Sequence, residues 1–249
     1  VPLFVFVGAS FIIFNSFFKN IKPKISLFRK DKVSDLFNLG VKFFIIQIAV
    51  LVIFQTDSLI IAHFLSPEQV TPYSIVFRYF GTVTMIAGII LTPMWSAYTE
   101  AYYKNDNHWI KNIIIKQLKL FVFFTIIVLL LLFLARPVIL LWLKKDLHIS
   151  NFLLLAMALY TLLSVWNNIF STLLGGINKI RLGTFTVIIT AGLNIPLSIF
   201  FIKIFNNDSG GVILATCISI GITGILSPIQ AYYFIFSKNK TTFLNKLLS

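Results

Sequence analysis

Charge is scarce in this chain. Only 12% of its 249 residues are Asp, Glu, Lys or Arg, with eight acids against 21 bases. Soluble domains carry about 25%, so water cannot cover most of this surface. Histidine occurs three times, as His63, His108 and His148, at loop-proximal places with no ligand spacing, so no metal centre is expected. Cysteine occurs once, and Cys217 has no partner in the chain for a disulfide. No Gly-rich phosphate loop follows a strand, and no Ser/His/Asp set falls on a plausible soluble segment. The longest connection between apolar stretches runs only from Lys19 to Asp35, which leaves no room for a soluble catalytic domain. Neither enzymatic activity nor a cofactor is expected.

What is present is apolar: 58% of residues are hydrophobic, 16% are aromatic, and mean hydropathy is +0.92. From Leu118 to Ala135 the only polar residues are Lys119 and Thr125. About 20 apolar residues cross the ~30 Å of bilayer hydrocarbon as a helix. Seven such segments can be marked: Val1–Phe18, Leu36–Ala62, Tyr73–Glu100, Ile113–Leu143, Phe152–Gly176, Leu182–Phe205 and Val212–Phe236. The expected fold class is all-α, a polytopic membrane helical bundle of about seven transmembrane helices.

Basic residues orient these spans. The first connection holds Lys19, Lys22, Lys24, Arg29, Lys30 and Lys32, and the third holds or borders Lys104, Lys111, Lys116 and Lys119. Lys179 and Arg181 lie in the fifth connection, and Lys238, Lys240 and Lys246 in the tail. The other side has only Arg136, Lys144, Lys145 and Lys203. The richer side is expected to be cytoplasmic. This bias accounts for the net charge of +13 without a polyanion, so no nucleic-acid partner is expected.

That orientation puts the amino end of the first span outside, although the chain starts at Val1 without an initiator Met or a signal peptide. An odd number of preceding spans is therefore expected, making this a carboxy-terminal part of a larger protein. The expected organisation is a last helix of a preceding bundle (1–18), a cytoplasmic basic loop (19–35), a six-helix bundle (36–237) and a cytoplasmic tail (238–249).

Function must come from what breaks the apolar pattern. Asp57 and Arg78 each cost about 2.5–3.5 kcal/mol at the centre of a span. They stand equally far from the turn Ser66-Pro67-Glu68-Gln69, which places them at one depth in an antiparallel hairpin. Two readings stand: an ion pair that makes the hairpin insertable, or groups bordering a water-filled cavity. At about 100° per residue, Arg78, Thr82, Thr92, Ser96 and Glu100 form one stripe along the third span. Such a stripe implies helix packing or a hydrated path, and Pro93 within it should bend the helix.

In the fifth span Thr161, Ser164, Asn168, Ser171 and Gly175 share a face, and in the sixth Thr190, Asn194 and Ser198 do, with Pro196 a further expected kink. The seventh span is rich in small residues, which favours close packing. The fourth has no polar stripe and should face lipid. Trp95, Tyr98, Tyr102, Tyr103 and Trp109 form an interfacial belt, with Trp142 at the opposite interface.

Three passages resemble polysaccharide exporters of the O-antigen flippase type, within the multidrug/oligosaccharidyl-lipid/polysaccharide (MOP) superfamily: Gln55-Thr56-Asp57-Ser58-Leu59-Ile60-Ile61, Tyr73-Ser74-Ile75 with Arg78, and Pro93-Met94-Trp95-Ser96-Ala97-Tyr98-Thr99-Glu100-Ala101. Lys104-Asn105-Asp106-Asn107-His108-Trp109 adds to the likeness, while Ser66-Pro67 departs from the family's outer turn. The resemblance implies a MATE-like fold of two six-helix bundles, of which this chain would hold the second and one preceding helix. It implies a bacterial cytoplasmic (inner) membrane location and alternating-access transport of undecaprenyl-diphosphate-linked oligosaccharide between leaflets for polysaccharide biosynthesis. The implied partners are that substrate, membrane lipids, H+ or Na+, and the amino-terminal bundle of the same protein. On this reading Arg78, Thr82, Thr92, Ser96, Asn168 and Asn194 line the cavity, and Asp57 and Glu100 are the ion-coupling residues. A drug or organic-cation antiporter of the same superfamily is the alternative; a membrane-embedded glycosyltransferase or polymerase ranks below it because the outer loops are short.

Overall fold

The computed structural model of the chain describes residues 2–18, 30–145, 147–205 and 208–236. All regular secondary structure among them is α-helix: α1 (Pro2–Ser16), α2 (Lys30–Phe64), α3 (Pro67–Leu91), α4 (Met94–Tyr103), α5 (Asn107–Leu143), α6 (Asn151–Gly176), α7 (Arg181–Ile204) and α8 (Gly210–Phe236). Each expected span falls on helix, the third on α3 and α4 together. Among the described residues, five stretches are long and apolar enough to cross a membrane, counting Pro67–Tyr103 as one, and Phe4–Ser16 is a shorter apolar helix. The chain is an all-α polytopic membrane bundle. Lys19, Lys22, Lys24 and Arg29 of the basic loop, and the tail with Lys238, Lys240 and Lys246, lie outside the described residues.

The chain divides into two compact units, Val1–Val41 and Lys42–Ser249. The first contains α1 and the opening turns of α2. In the second, α6 is the hub, touching α3, α4, α5 and α8, while α8 also packs on α7. Its composition explains this role. Ala156, Ala158, Gly175 and Gly176 let neighbours approach closely, and Leu153, Met157, Val165, Ile169 and Leu173 fill the space between. Ser150 starts the helix, its hydroxyl accepting from Leu153 N at 3.0 Å. Asp106 does the same for α5, accepting from Trp109 N at 2.9 Å.

α5 buries only a narrow line of residues, including Phe124, Val128, Ala135 and Ile139. Val122, Phe123, Ile126, Leu129, Leu130 and Phe133 point outward. This is a helix with one protein-facing edge and a broad lipid-facing surface, as its unbroken apolar run suggests.

The expected bend at Pro93 is an interruption of the helix. Proline has no N–H to give, so α3 stops at Leu91 and α4 resumes at Met94. Thr92 N still reaches Gly88 O at 2.9 Å, and Trp95 N reaches Thr92 O at 3.2 Å. Beyond the break, α4 lies directly on the end of α6, where Thr99 Oγ1 donates to Gly176 O at 2.7 Å. A Cβ at Gly176 would stand 2.7 Å from the Trp95 carbonyl oxygen and 2.9 Å from Tyr98 Cβ. Backbone cannot yield there cheaply. Gly176→Ala should destabilise the bundle by roughly 1–3 kcal/mol, whereas Gly183→Ala, with open space around it, should be neutral or slightly stabilising. Thermal unfolding of the two variants in detergent would test the contrast.

Candidate functional site

The polar residues sort into three groups. The first is a buried network around Asp57. Asp57 has no exposed surface, and its Oδ2 accepts from Tyr73 Oη at 2.8 Å and from Thr216 Oγ1 at 3.3 Å. Thr216 in turn accepts from Asn194 Nδ2 at 3.0 Å. One carboxyl group thus joins α2 to α3 and α8, with α7 attached through Asn194. Four buried oxygens of the bundle have no protein partner among the described residues: Asp57 Oδ1 and Asn194 Oδ1 of this network, and Ser198 Oγ and Ser219 Oγ elsewhere on α7 and α8. Buried oxygens left over in this way are groups that can accept from a proton or bind a small cation.

This geometry corrects the ion-pair reading. Asp57 and Arg78 form no salt bridge; the one ion pair found among the described residues is Lys104 with Glu100. The depth argument from the turn says nothing about azimuth, and azimuth decides. Tyr73 is buried, with its hydroxyl on Asp57. Five residues at ~100° each put Arg78 roughly 140° around the helix from Tyr73, on the far face. Arg78 is accordingly exposed.

The second group is the stripe on α3 and α4, which is exposed along its length: Arg78, Thr82, Thr92, Ser96 and Glu100 all face away from the packed core. The opposite face of α3 buries Tyr73, Val76, Phe80, Val83 and Ala87. The stripe's hydroxyls are not left bare. Thr82 Oγ1 donates to Tyr79 O at 2.8 Å, Thr92 Oγ1 to Gly88 O at 2.6 Å and Ser96 Oγ to Pro93 O at 3.1 Å. Helical Ser and Thr satisfy themselves this way, so the strong polar demand of the stripe is Arg78. Glu100 sits at the end, paired with Lys104 one turn on; its hydrogen bond and charge push the Lys104 pKa up.

The third group lines a cavity of about 490 Å³ between α6, α7 and α8, with Ile46 of α2 at its edge. Ser164, Asn168, Ser171, Thr223, Gln230 and Lys179 supply its polar wall. Asn168 Oδ1 accepts from Thr172 Oγ1 at 3.2 Å. Gln230 Nε2 donates to Lys179 O at 2.9 Å, and the Lys179 ammonium stands 4.9 Å over the Phe234 ring. Most of the wall is apolar, with Ile46, Leu174, Ile180, Val187 and Ile220, and no carboxylate lines it among the described residues.

The expected site residues are therefore distributed. Asn168 is in the cavity wall, Asn194 and Asp57 are in the buried network, and the other five are on the exposed stripe. Four residues escaped the sequence reading. Tyr73 appeared only as part of a motif, and neither Thr216 nor Gln230 gave a signal. Lys179 counted only as a loop cation, although its place one turn past the polar face of α6 could have marked it.

A membrane-embedded helical bundle with a buried polar network, a mostly apolar cavity carrying amides, hydroxyls and one lysine, and an exposed polar stripe bearing Arg78 suits a transporter. Residues 42–200, well over half the chain, match the MatE family model. The chain belongs to the MatE family, within the MOP superfamily, and is a multi-pass membrane transporter; members of this family are transporters rather than enzymes. No curated protein and no solved structure matches it.

The two faces of α3 should separate experimentally. Tyr73→Phe removes the nearest donor to a buried carboxyl and should cost about 1–3 kcal/mol. Arg78→Ala removes an exposed side chain that has no ion pair and should leave the unfolding temperature nearly unchanged. Equal losses in the two variants would restore the Asp57–Arg78 pair.

Proposed function

We propose that this protein is a flippase for lipid-diphosphate-linked oligosaccharide in a bacterial cytoplasmic membrane, working by alternating access against a partner bundle and feeding polysaccharide synthesis. The observation that supports it is the chemistry of the available polar surface. The cavity sets amides, hydroxyls and one lysine into a mostly apolar wall, with no acid among the described residues, and the exposed stripe offers the guanidinium of Arg78. Amides and hydroxyls suit a sugar, and unpaired cations suit a diphosphate. A sugar headgroup and a diphosphate cannot cross hydrocarbon unaided, because each unsatisfied polar group costs several kcal/mol there. A polar route replaces their water while the prenyl tail stays in lipid.

On this reading Arg78 meets the diphosphate, Thr82, Thr92 and Ser96 extend a polar strip towards Glu100, and Asn168 bonds sugar hydroxyls. Asp57, with Asn194 joined to it through Thr216, takes up the driving H+ or Na+. The partnerless buried oxygens support that assignment, as do the direct bonds from Asp57 to α3 and α8 and the indirect one to α7. Ion uptake at such a junction changes how those helices pack, which is the coupling that alternating access needs.

A drug antiporter is the competing reading. It would need acids facing its cationic substrate, and the one buried acid among the described residues, Asp57, is enclosed and already hydrogen-bonded.

The test is transport by the full-length protein in proteoliposomes. Lipid-diphosphate oligosaccharide should change leaflet when an ion gradient is imposed, and a fluorescent organic cation should not be expelled. Loss of a charge-assisted hydrogen bond implies that Arg78→Ala slows flipping roughly ten- to a hundredfold at normal membrane abundance. Asp57→Asn should remove the dependence on the gradient. Cation expulsion without lipid movement would falsify the proposal.

A further inference from the structure

Few bases stand at the sparsely charged end of the bundle, yet three of them, Arg136, Lys144 and Lys145, crowd the turn from α5 to α6. Around them is a formed pocket. A cavity of about 160 Å³ lies between the end of α5 and residues 147–149, with Pro137, Leu140, Leu147 and Ile149 as an apolar floor and Arg136 and Lys145 on its wall. Arg136 is fixed in place: Nη2 donates to Ile149 O at 3.2 Å and to Asn151 Oδ1 at 2.8 Å. Both bonds use one nitrogen, so Nη1 and Nε keep donors without a protein partner among the described residues.

The sequence leaves this turn net positive, with Arg136, Lys144 and Lys145 against the single acid Asp146. The carbonyl end of α5, closed by Lys144 in a left-handed conformation at φ 53°, faces the amino end of α6, and helix ends of opposite sign offset one another. Asp208, at the same end of the bundle, has its Oδ1 engaged by Gly210 N at 2.7 Å. Asp146 lies outside the described residues. Exposed Trp142 places the turn at the headgroup boundary.

We infer that this pocket binds the phosphate diester of an anionic phospholipid in the leaflet at this end of the bundle. The free edge of the guanidinium and the Lys145 ammonium take the phosphate oxygens. The glycerol and first methylenes cover the apolar floor, which inorganic phosphate would leave bare. A choline headgroup brings its own cation towards Lys145 and binds less well.

The experiment is native mass spectrometry of the detergent-solubilised full chain, titrated with phosphatidylglycerol, phosphatidylcholine or inorganic phosphate. Phosphatidylglycerol should be retained in preference to the other two. Lys145→Gln keeps the Arg136 bonds intact and should weaken retention about fivefold, and adding Arg136→Gln should bring the loss to roughly twentyfold. Lys203→Gln removes the same charge outside the pocket and should change nothing. Wild-type retention by Lys145→Gln overturns the inference. So does an equal loss in Lys203→Gln, equal retention of phosphatidylcholine, or full displacement of lipid by an equal concentration of phosphate.

Discussion

A carboxyl group enclosed within an apolar slab must be given hydrogen-bond donors, and most of the bundle's geometry answers to that demand at Asp57. The donors come from different helices, Tyr73 on α3 and Thr216 on α8, with Asn194 on α7 behind the threonine. Each donor fixes the rotation of the helix that carries it. Once Tyr73 is turned inward, Val76, Phe80, Val83 and Ala87 follow into the core, and Arg78 has to point out. The outward stripe is thus a consequence of the inward acid, even though the two groups never touch.

Spans, their order and the lipid-facing character of α5 were legible in the sequence because they depend on summed hydropathy, which local reading measures well. The polar face of α6 was legible too, since Ser164, Asn168 and Ser171 repeat at helical spacing and all three line the cavity. Pairing between helices was not. Equal distance from a turn sets the depth of Asp57 and Arg78, but the partner of an acid depends on helix rotation, which residues far along the chain decide. Thr216 lies 159 positions from Asp57, and nothing local distinguishes it from its neighbours Ala215 and Cys217. Lys179 was hidden for a different reason: a base beside a loop satisfies the positive-inside rule, and that explanation concealed its place on the cavity wall.

Polar side chains in this bundle differ in how much they ask of their surroundings. The hydroxyls of Thr82, Thr92 and Ser96 are bonded to carbonyls of their own or the preceding helical turn, so they tolerate lipid, water or protein as neighbours. Arg78, with no ion pair among the described residues, does not have that freedom. A surface that must meet different environments during a transport cycle is well served by this mixture: hydroxyls that never lose their bonds, and a cation whose partner can change.

The lone thiol has a practical consequence. Cys217 is enclosed, and its Sγ lies 3.5 Å from Ala156 O, to which it donates. Maleimides and methanethiosulfonates need an accessible sulfur, so the native chain already behaves as a silent background for site-directed probes. Spin labels or fluorophores can be attached at new cysteines along α3 and α6 without altering the packing next to Asp57, which replacing Cys217 would disturb.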